Sequence, residues 1–313
     1  MTKIATREAY GKALAKLGEE NKDIVVLDAD LSKSTQTAFF AKEFPERFFD
    51  IGVAEQNLMG TAAGLAAAGK IPFASSFAMF ATGRAFEQIR NSIAYPSLNV
   101  KIAATHAGIS VGEDGASHQS IEDIAIMRVV PNMTVLVPAD ATETVQAVRA
   151  AVKINGPVYI RLGRLALPVL FNDSYEFEVG KANTIREGSD VTVIACGLMV
   201  GPAIEAADKL AGENIKVRVI NMGTVKPIDR EAIVKAATET GAIVTAEEHN
   251  IIGGLGSAVA EVLAQTVPVV QEMVGIKDTF GESGSPAQLL EKYGLTAMDV
   301  AAAVKRVIER KPR

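Results

Sequence analysis

Two of the three histidines in this chain lie in one loop-like segment, which makes that segment the first candidate for chemistry. It reads THAGISVGEDGASHQSIED and places Asp114 between His106 and His118, among several glycines and serines. Imidazole groups exchange protons near neutral pH, so such a loop suits a pocket that handles substrate hydroxyl groups. Loops that follow strands at the carboxyl edge of an open α/β sheet are also common ligand sites.

Other interpretations of this loop stay open. A metal site would use both histidines and a carboxylate, but the sequence lacks tight ligand spacing such as HxxxH. A phosphate-binding loop would need GxxxxGK[ST], or GxGxxG after a strand, and neither pattern occurs. The segment could also be a polar loop without any function.

An acidic residue precedes a segment of small side chains further upstream. Glu55, in DIGVAEQNLMG, begins a helix-like stretch that is almost entirely small or apolar as far as Ala68. Glycine costs about 1 kcal/mol in a helix, so its repeated use here indicates that something packs very close. A helix-start carboxylate stabilised by the helix dipole is the alternative interpretation.

Aromatic side chains are locally enriched in the next segment, SSFAMFATGRAFEQIR. Phe77 and Phe80 lie three residues apart in a chain with only 5% aromatic residues. Core packing at helical spacing explains such a pair equally well, so the two phenylalanines alone do not define a site.

Apolar runs rich in β-branched residues alternate with amphipathic segments and supply the elements that would position these residues. The runs lack polar alternation, as expected for strands buried in a parallel sheet. Predicted strands are 24–27, 100–104, 134–137 and 158–161, and predicted helices are 7–17, 84–93 and 141–152. This pattern indicates an open α/β sheet.

A polar, glycine-containing segment at residues 172–188 interrupts the alternation, which then restarts. We therefore predict two consecutive open α/β sheet domains, 1–171 and 189–313, joined by a linker. The second domain has predicted strands at 191–195, 217–220 and 243–246, and predicted helices at 201–210 and 257–265. Thr296 and Asp299 form a capping-box pattern for a final helix.

Composition excludes several functional classes. The net charge is −5, without the basic face of a nucleic-acid-binding protein, so we expect no nucleic-acid partner. No run of about 18 apolar residues occurs, so we expect no membrane span. The single cysteine, Cys196, cannot form an internal disulfide, and the N-terminus lacks a signal-peptide pattern. These features favour the cytoplasm.

Four motifs together resemble the pyrimidine-binding domain of transketolases: IGVAEQ, FAMF, GEDGASHQ and PNMTVLVPAD. VTAEEHNIIGGLGSAVAE resembles the C-terminal domain of the same family, so the similarity extends over nearly the whole chain. This resemblance implies thiamine diphosphate as cofactor. It also implies transfer of a two-carbon ketol unit from a ketose phosphate, such as xylulose 5-phosphate, to an aldose phosphate.

The resemblance also implies a role for each candidate residue. Glu55 would be catalytic by binding the ring nitrogen of the cofactor's aminopyrimidine, Phe77 and Phe80 would stack on that ring, and Asp30 would lie near the thiazolium. His106 and His118 would be catalytic residues of the substrate pocket, and Asp114 would bind the C2 hydroxyl of the sugar. The sugar phosphate would be held by Arg7, Ser34 and Arg164, with help from His106.

One departure from the family pattern concerns the other half of the cofactor. The diphosphate-binding domain of these enzymes carries GDG followed by asparagine ligands for the metal, and this chain has no such segment. We therefore expect no metal ligands here, with Mg²⁺ bound mainly by a separate N-terminal subunit. The expected assembly contains two copies of each chain.

Related enzymes remain as alternatives. A 1-deoxyxylulose-5-phosphate synthase shares a similar glutamate but usually has arginine where this chain has His106. The beta subunit of a 2-oxo acid dehydrogenase is of similar size but lacks the GEDGxxHQ pattern. A non-catalytic regulatory subunit of the same fold is the third alternative, and the presence of Glu55 and both histidines argues against it.

Overall fold

A seven-stranded sheet organises the first half of the chain in the computed structural model, which describes residues 2–172 and 174–311. Six of its strands are β2 (Ile24–Asp28), β3 (Phe48–Asp50), β4 (Ile71–Phe77), β5 (Lys101–Thr105), β6 (Thr134–Leu136) and β7 (Val158–Arg161). These six are parallel, in the order β6-β7-β5-β4-β2-β3. Strands β2, β5 and β7 are buried along their whole length, which explains why charged residues occur only at their ends.

Helices accompany this sheet, and two short strands from distant parts of the chain form a separate two-stranded sheet. The helices are α1 (Thr6–Glu20), α2 (Ser32–Thr35), α3 (Ala38–Glu43), α4 (Glu55–Ala67), α5 (Asp123–Val129) and α6 (Ala141–Lys153). A terminal strand, β1 (Lys3–Ala5), pairs antiparallel with β8 (Ala166–Pro168). The four strands predicted in this half are confirmed within one residue at each end, and so is the helix that corresponds to α6; α1 is also confirmed but extends three residues beyond its predicted end.

The predicted helix 84–93 is wrong in its form. The chain there contains two π-helical segments, Met79–Arg84 and Gln88–Ala94, separated by a turn. A π-helix closes its hydrogen bonds over five residues instead of four, so side chains that helical spacing would align are rotated apart. Such segments occur frequently at functional sites.

The second half forms a five-stranded sheet within the described residues, in the order β14-β13-β10-β11-β9. Its strands are β9 (Asn183–Arg186), β10 (Val191–Ala195), β11 (Val217–Asn221), β13 (Ala242–Asn250) and β14 (Val270–Ile276). Its helices are α7 (Val200–Ala211), α8 (Arg230–Thr240), α9 (Leu255–Gln265), α10 (Pro286–Lys292) and α11 (Ala297–Glu309). The predicted class, two consecutive open α/β sheet domains, is confirmed, and Thr296 and Asp299 form the expected capping box.

Several strands fall where the sequence predicted none, among them β3, β4 and β14, and two further ones bear on the predicted linker and on how the two halves meet. Strand β9 lies inside the segment 172–188 that we predicted as a linker, and it pairs antiparallel with β11 at the sheet edge. The remaining strand, β12 (Thr224–Lys226), comes from the second half of the chain but pairs antiparallel with β6 of the first sheet. The second half of the chain therefore contributes an edge strand to the first sheet, while the boundaries 1–171 and 189–313 stay a prediction.

A continuous hydrophobic core also joins the two halves. Val137 and Tyr159 of the first half pack in one buried cluster with Cys196, Met222 and Val225 of the second. No helix within residues 2–172 and 174–311 is long and apolar enough to cross a membrane. The shared core fixes how the second half sits against the loops of the first.

Candidate active site

The predicted site residues lie at one edge of the first sheet. Parallel strands β2, β4 and β5 are neighbours, so their carboxyl ends meet at the same edge. Asp30 follows the end of β2, Phe77 ends β4, and His106 comes directly after β5. Residues far apart in sequence are thereby brought to a common surface.

Two phenylalanines and two histidines form a connected aromatic cluster at this edge. The Phe77 and Phe80 rings are stacked, with centroids 6.1 Å apart. Phe77 also stacks on the His106 imidazole at 3.8 Å, while the edge of His118 faces Phe80 at 5.0 Å. The first π-helical segment carries Phe80, which places both phenylalanines beside the histidine loop. The sequence interpretation as core packing therefore does not account for their position.

His106 is held in one orientation and one tautomer. Its backbone has a φ of 55°, in the left-handed region, and the residue is only 3% exposed. The Arg7 Nη1 atom lies 3.2 Å from Nε2 of the imidazole, and arginine can only donate. Nε2 is therefore the acceptor, and Nδ1 carries the proton toward Thr105 Oγ1 at 2.9 Å. Burial and the nearby positive charges, Arg7 first among them, lower the pKa of His106 to about 3.

We expect the His106 ring to stay neutral from about pH 5 to pH 8, because its lowered pKa lies well below that range. Its ring-carbon NMR shift, assigned with the variant His106→Gln, should not move across this interval. The variant Arg7→Met should raise the pKa by removing one neighbouring cation. A wild-type ring that titrates near 6.5, the ordinary value for histidine, would contradict the buried neutral state.

Two arginines lie near His106 and the histidine loop. Arg7, near the start of α1, donates from Nη1 to the Ser34 carbonyl at 2.8 Å as well as contacting His106. Arg164 donates to the Val111 carbonyl at 2.7 Å, and its Nη1 lies 3.7 Å from the exposed carboxylate of Asp114. Charge repulsion between Arg7 and Arg164 contributes to a lowered pKa of Arg7, after the larger effect of burial. Two guanidinium groups this close suit a dianionic ligand.

Glu55 begins α4 and is almost completely buried, at 2% exposure. Its Oε2 atom accepts a hydrogen bond from Arg84 Nη1 at 2.8 Å, while half of the Arg84 side chain is exposed. The Arg84 guanidinium also lies 4.7 Å from the Phe80 ring centroid. Sequence reasoning missed Arg84, although it is one of the two arginines in the segment SSFAMFATGRAFEQIR. The ion pair connects Glu55 with the aromatic cluster.

Asp30 lies on an exposed turn that its neighbours hold in place. Its φ is 60°, and its backbone N–H donates to Asp50 Oδ1 at 3.0 Å. Beneath it, the fully buried Asp28 accepts hydrogen bonds from the hydroxyls of Thr35 and Thr37. Burial raises the pKa of Asp28 despite these bonds. The Asp30 carboxylate is therefore presented at the sheet edge by a fixed backbone.

The residues present fit one part of the cofactor that the resemblance implies and not the other. A buried carboxylate beside a stacked aromatic pair suits a flat, nitrogen-containing ring such as the aminopyrimidine. Within the described part of the chain, no group of three or more histidine, cysteine or acidic residues could hold a metal ion. A cavity of about 660 Å³ lies in the second domain beside Lys277 and Arg306, and it contains none of the predicted site residues.

The fold defines a two-domain α/β protein, and the candidate ligand site lies at the carboxyl edge of its first sheet. The chain matches the family model for the transketolase pyrimidine-binding domain over residues 2–169, and the model for the transketolase C-terminal domain over residues 180–300. It therefore belongs to the transketolase family, and this membership implies dependence on thiamine diphosphate.

Individual relatives match almost end to end. The putative transketolase C-terminal section of Methanocaldococcus jannaschii is 52% identical, covering 97% of this chain and 95% of that protein. The 6-deoxy-6-sulfo-D-fructose transketolase subunit SqwH of Clostridium sp. (strain MSTE9) is 46% identical, with the same coverage of 97% and 95%. A solved structure described as a split gene transketolase, inactive beta4 tetramer, is 62% identical and covers 99% of this chain and 100% of its own, with a TM-score of 0.93.

Proposed function

We propose that this chain is the C-terminal subunit of a split transketolase, active with a separate subunit that binds the diphosphate of the cofactor. The reaction would move a two-carbon ketol unit from a ketose phosphate to an aldose phosphate. One observation carries the proposal: Glu55, the aromatic pair, both histidines and two arginines surround one edge of the sheet in a member of the transketolase family.

The cofactor half of the proposed site consists of Glu55 and the two phenylalanines. When bound, thiamine diphosphate supplies the nucleophilic carbon that accepts the two-carbon unit. Glu55 would bind the ring nitrogen of the aminopyrimidine and hold a proton there, while Phe77 and Phe80 offer ring faces for stacking. Because Arg84 is half exposed, it could return to water when the ring nitrogen takes its place as the partner of the buried carboxylate. Asp30 would face the thiazolium.

The substrate half consists of the histidine loop and the two arginines. His118 is partly exposed and has one ring nitrogen near Ser117 Oγ, at 3.0 Å, so the other nitrogen is available for proton transfer to a substrate oxygen. His106 would contact the substrate through an imidazole ring that is neutral and fixed in orientation. Asp114 would accept a hydrogen bond from the C2 hydroxyl of the sugar. The phosphate of the sugar would be bound by Arg7, Arg164 and Ser34.

The partner proposal rests on what the described residues lack and on one relative. These residues offer no metal cluster, so Mg²⁺ and the diphosphate are assigned to the partner subunit in an assembly with two copies of each chain. The structure of 62% identity is described as an inactive tetramer of beta chains, which is what self-association without the partner would produce. The predicted cytoplasmic location remains a prediction.

A panel of sugars tests the reaction. The purified complex of this chain and its partner subunit, with thiamine diphosphate and Mg²⁺, would be given xylulose 5-phosphate and ribose 5-phosphate. Sedoheptulose 7-phosphate and glyceraldehyde 3-phosphate are the expected products, measured by mass spectrometry. Decarboxylation of pyruvate without ketol transfer would instead support the synthase or dehydrogenase alternatives.

The panel should also include a sulfonated ketose as donor, because one of the relatives is named for such a sugar. The subunit SqwH is named for 6-deoxy-6-sulfo-D-fructose, and it is 46% identical to this chain. A sulfonate, like a phosphate, is a tetrahedral anion that paired guanidinium groups can bind. Turnover of the sulfonated ketose at a kcat/KM above that of xylulose 5-phosphate would assign this donor instead.

We expect Arg164→Gln to raise the KM of the phosphorylated donor about tenfold, since a charge-assisted hydrogen bond contributes about 1.5–3 kcal/mol. The KM of unphosphorylated xylulose should change less than twofold. Arg310→Gln, which removes an arginine paired with Glu272 in the second domain, is the matched control. Equal effects of Arg164→Gln on both sugars would contradict a role in phosphate binding.

A further inference from the structure

The histidine loop is held from the second domain as well as from its own. We define the substrate loop as residues 106–119, which include His106, Asp114 and His118. Backbone hydrogen bonds connect its ends to each other and to the rest of the first domain, as in Gly108 N–H to the Ser120 carbonyl at 2.8 Å. Its middle, in contrast, packs against β13 and the segment before α10.

Glu248, on β13 of the second domain, makes the most direct contact with this loop. Its side chain is buried, with 4% exposure, and its Oε1 atom accepts the Ser110 N–H at 2.6 Å. A Cβ atom added to Gly108 would collide with the Glu248 carboxylate, and Gly108 has a φ of 86°. The loop backbone therefore approaches this carboxylate as closely as a residue without a side chain permits.

Gln119 makes the second connection, from the last residue of the loop. It is 3% exposed, and its Nε2 atom lies within hydrogen-bond distance of the carbonyls of Ile109 at 3.3 Å, Gly112 at 3.2 Å and Glu282 at 2.9 Å. The first two partners belong to the loop and the third to the second domain. A Cβ atom at Gly281 would collide with Gln119 Oε1, so this contact is also tight.

The backbone of β13 is fixed in turn by the first domain. Arg161 donates from Nη2 to the Glu248 carbonyl at 2.9 Å and to the Ser120 carbonyl at 3.3 Å. Asn250 N–H donates to the Ile121 carbonyl at 2.8 Å. The strand is therefore anchored at the Glu248 carbonyl and again two residues further on, and the Glu248 carboxylate has a defined position relative to the substrate loop.

We propose that the second domain positions the substrate loop, and with it the pocket for the ketose donor, through Glu248. The Glu248 carboxylate fixes the loop backbone at Ser110, and Gln119 makes a second connection between the loop and the second domain. Glu248 is a positioning residue that acts through the loop carrying Asp114 and His118. The inference rests on the proposed function for its kinetic consequence. It gives the C-terminal domain a role in substrate binding, separate from cofactor binding by Glu55 and the phenylalanines.

The test compares Glu248→Ala and Glu248→Gln in the complete complex with the partner subunit. Alanine leaves the buried Ser110 N–H without an acceptor, whereas glutamine keeps an oxygen in the same place. We expect alanine to raise the donor KM at least tenfold, with thiamine diphosphate affinity within threefold of wild type. In Glu248→Gln, the donor KM should stay within threefold of the wild-type value.

Amide hydrogen exchange gives a readout that does not require activity. In Glu248→Ala, the peptide covering residues 106–119 should exchange at least tenfold faster, while peptides of the first-domain strands keep wild-type rates. This measurement separates the two proposals: if the wild-type complex fails to transfer ketol units, faster exchange still supports the positioning role, and unchanged exchange overturns it.

Glu247 supplies the matched control, one residue away on the same strand. It is equally buried, but its carboxylate accepts the N–H groups of Leu255 and Gly256 at 2.7 and 2.8 Å at the start of α9. Glu247→Ala should lower Tm without changing the donor KM or exchange in the substrate loop. If Glu248→Ala does not fold, Gln119→Leu serves instead, with the same expected rise in donor KM. Equal donor KM values in wild type and the folded loop variant would overturn the proposal.

Discussion

Replacing Glu55 by glutamine is expected to lower the turnover of the assembled enzyme about 10³-fold, within the usual range for loss of a positioned acid–base group. Glutamine matches the shape of the buried side chain but cannot hold a proton at the ring nitrogen of the aminopyrimidine. The measurement is the steady-state kcat of the complex at saturating sugar and cofactor. Circular dichroism should show an unchanged fold.

A surface glutamate at a comparable helical position is the control for this variant. Glu8 also lies in the first turn of its helix, α1, but it is exposed and pairs with Lys12. Glu8→Gln should leave kcat unchanged. Activity of Glu55→Gln within a few-fold of wild type would contradict the assigned role and leave Glu55 as a structural helix-start carboxylate.

Asp123→Ala is expected to lower the free energy of unfolding by about 3–5 kcal/mol, the usual cost of breaking a buried ion pair from one side. Asp123 is fully buried and accepts hydrogen bonds from Arg161 Nε at 2.7 Å and from the Tyr159 hydroxyl at 2.6 Å. Its loss leaves the Arg161 charge uncompensated between the two domains. Urea unfolding of the purified chain measures the effect.

The ion pair between Asp123 and Arg161 should also make the free energy of unfolding depend on pH. Burial is the largest single influence and would raise the pKa of Asp123, but the charges of Arg161 and His249 and the hydrogen bonds from Arg161 and Tyr159 together lower it. A carboxyl with a lowered folded pKa contributes stability above its unfolded pKa and loses it as pH falls through the folded value. The wild-type protein should therefore lose this contribution to the free energy of unfolding in acid. The variant Asp123→Ala lacks the carboxyl group and has no such contribution to lose.

An exposed ion pair is the control for Asp123→Ala. Glu20 binds Arg149 through two hydrogen bonds of 2.9 and 2.7 Å, but both side chains are substantially exposed. Glu20→Ala should leave the unfolding free energy nearly unchanged, because water screens such pairs. An equally small effect of Asp123→Ala would contradict the assignment of the buried pair as a major contributor to stability.

The sequence was sufficient to predict buried strands such as β2 and β10, and the reason is physical. These strands are covered on both faces, so nearly all of their residues are apolar. The buried strand β4 was missed because a proline and two serines interrupt its apolar run. Strands β9 and β12 lie at sheet edges and are only four and three residues long, so their pairing depends on neighbours from elsewhere in the chain. No local pattern distinguishes such segments from loops.

The site could be predicted in part for a similar reason. Rare residue types carry information by themselves, and the concentration of His106 and His118 in one loop indicated a pocket before any contact was known. Arg84 and Glu248 were missed because their roles depend on tertiary contacts. Arg84 binds a carboxylate 29 residues away, and Glu248 binds a backbone amide 138 residues away. Common charged residues without a local motif reveal such roles only when the fold is known.

The most direct test of the account is a reconstitution titration with thiamine diphosphate and Mg²⁺ present throughout. This chain, held at fixed concentration, would receive increasing amounts of the separate diphosphate-binding subunit while ketol transfer from xylulose 5-phosphate to ribose 5-phosphate is measured. A site shared between two chains predicts no turnover without the partner and a rise that saturates at an equimolar ratio. Turnover by this chain alone at the rate of the mixture would contradict the shared site.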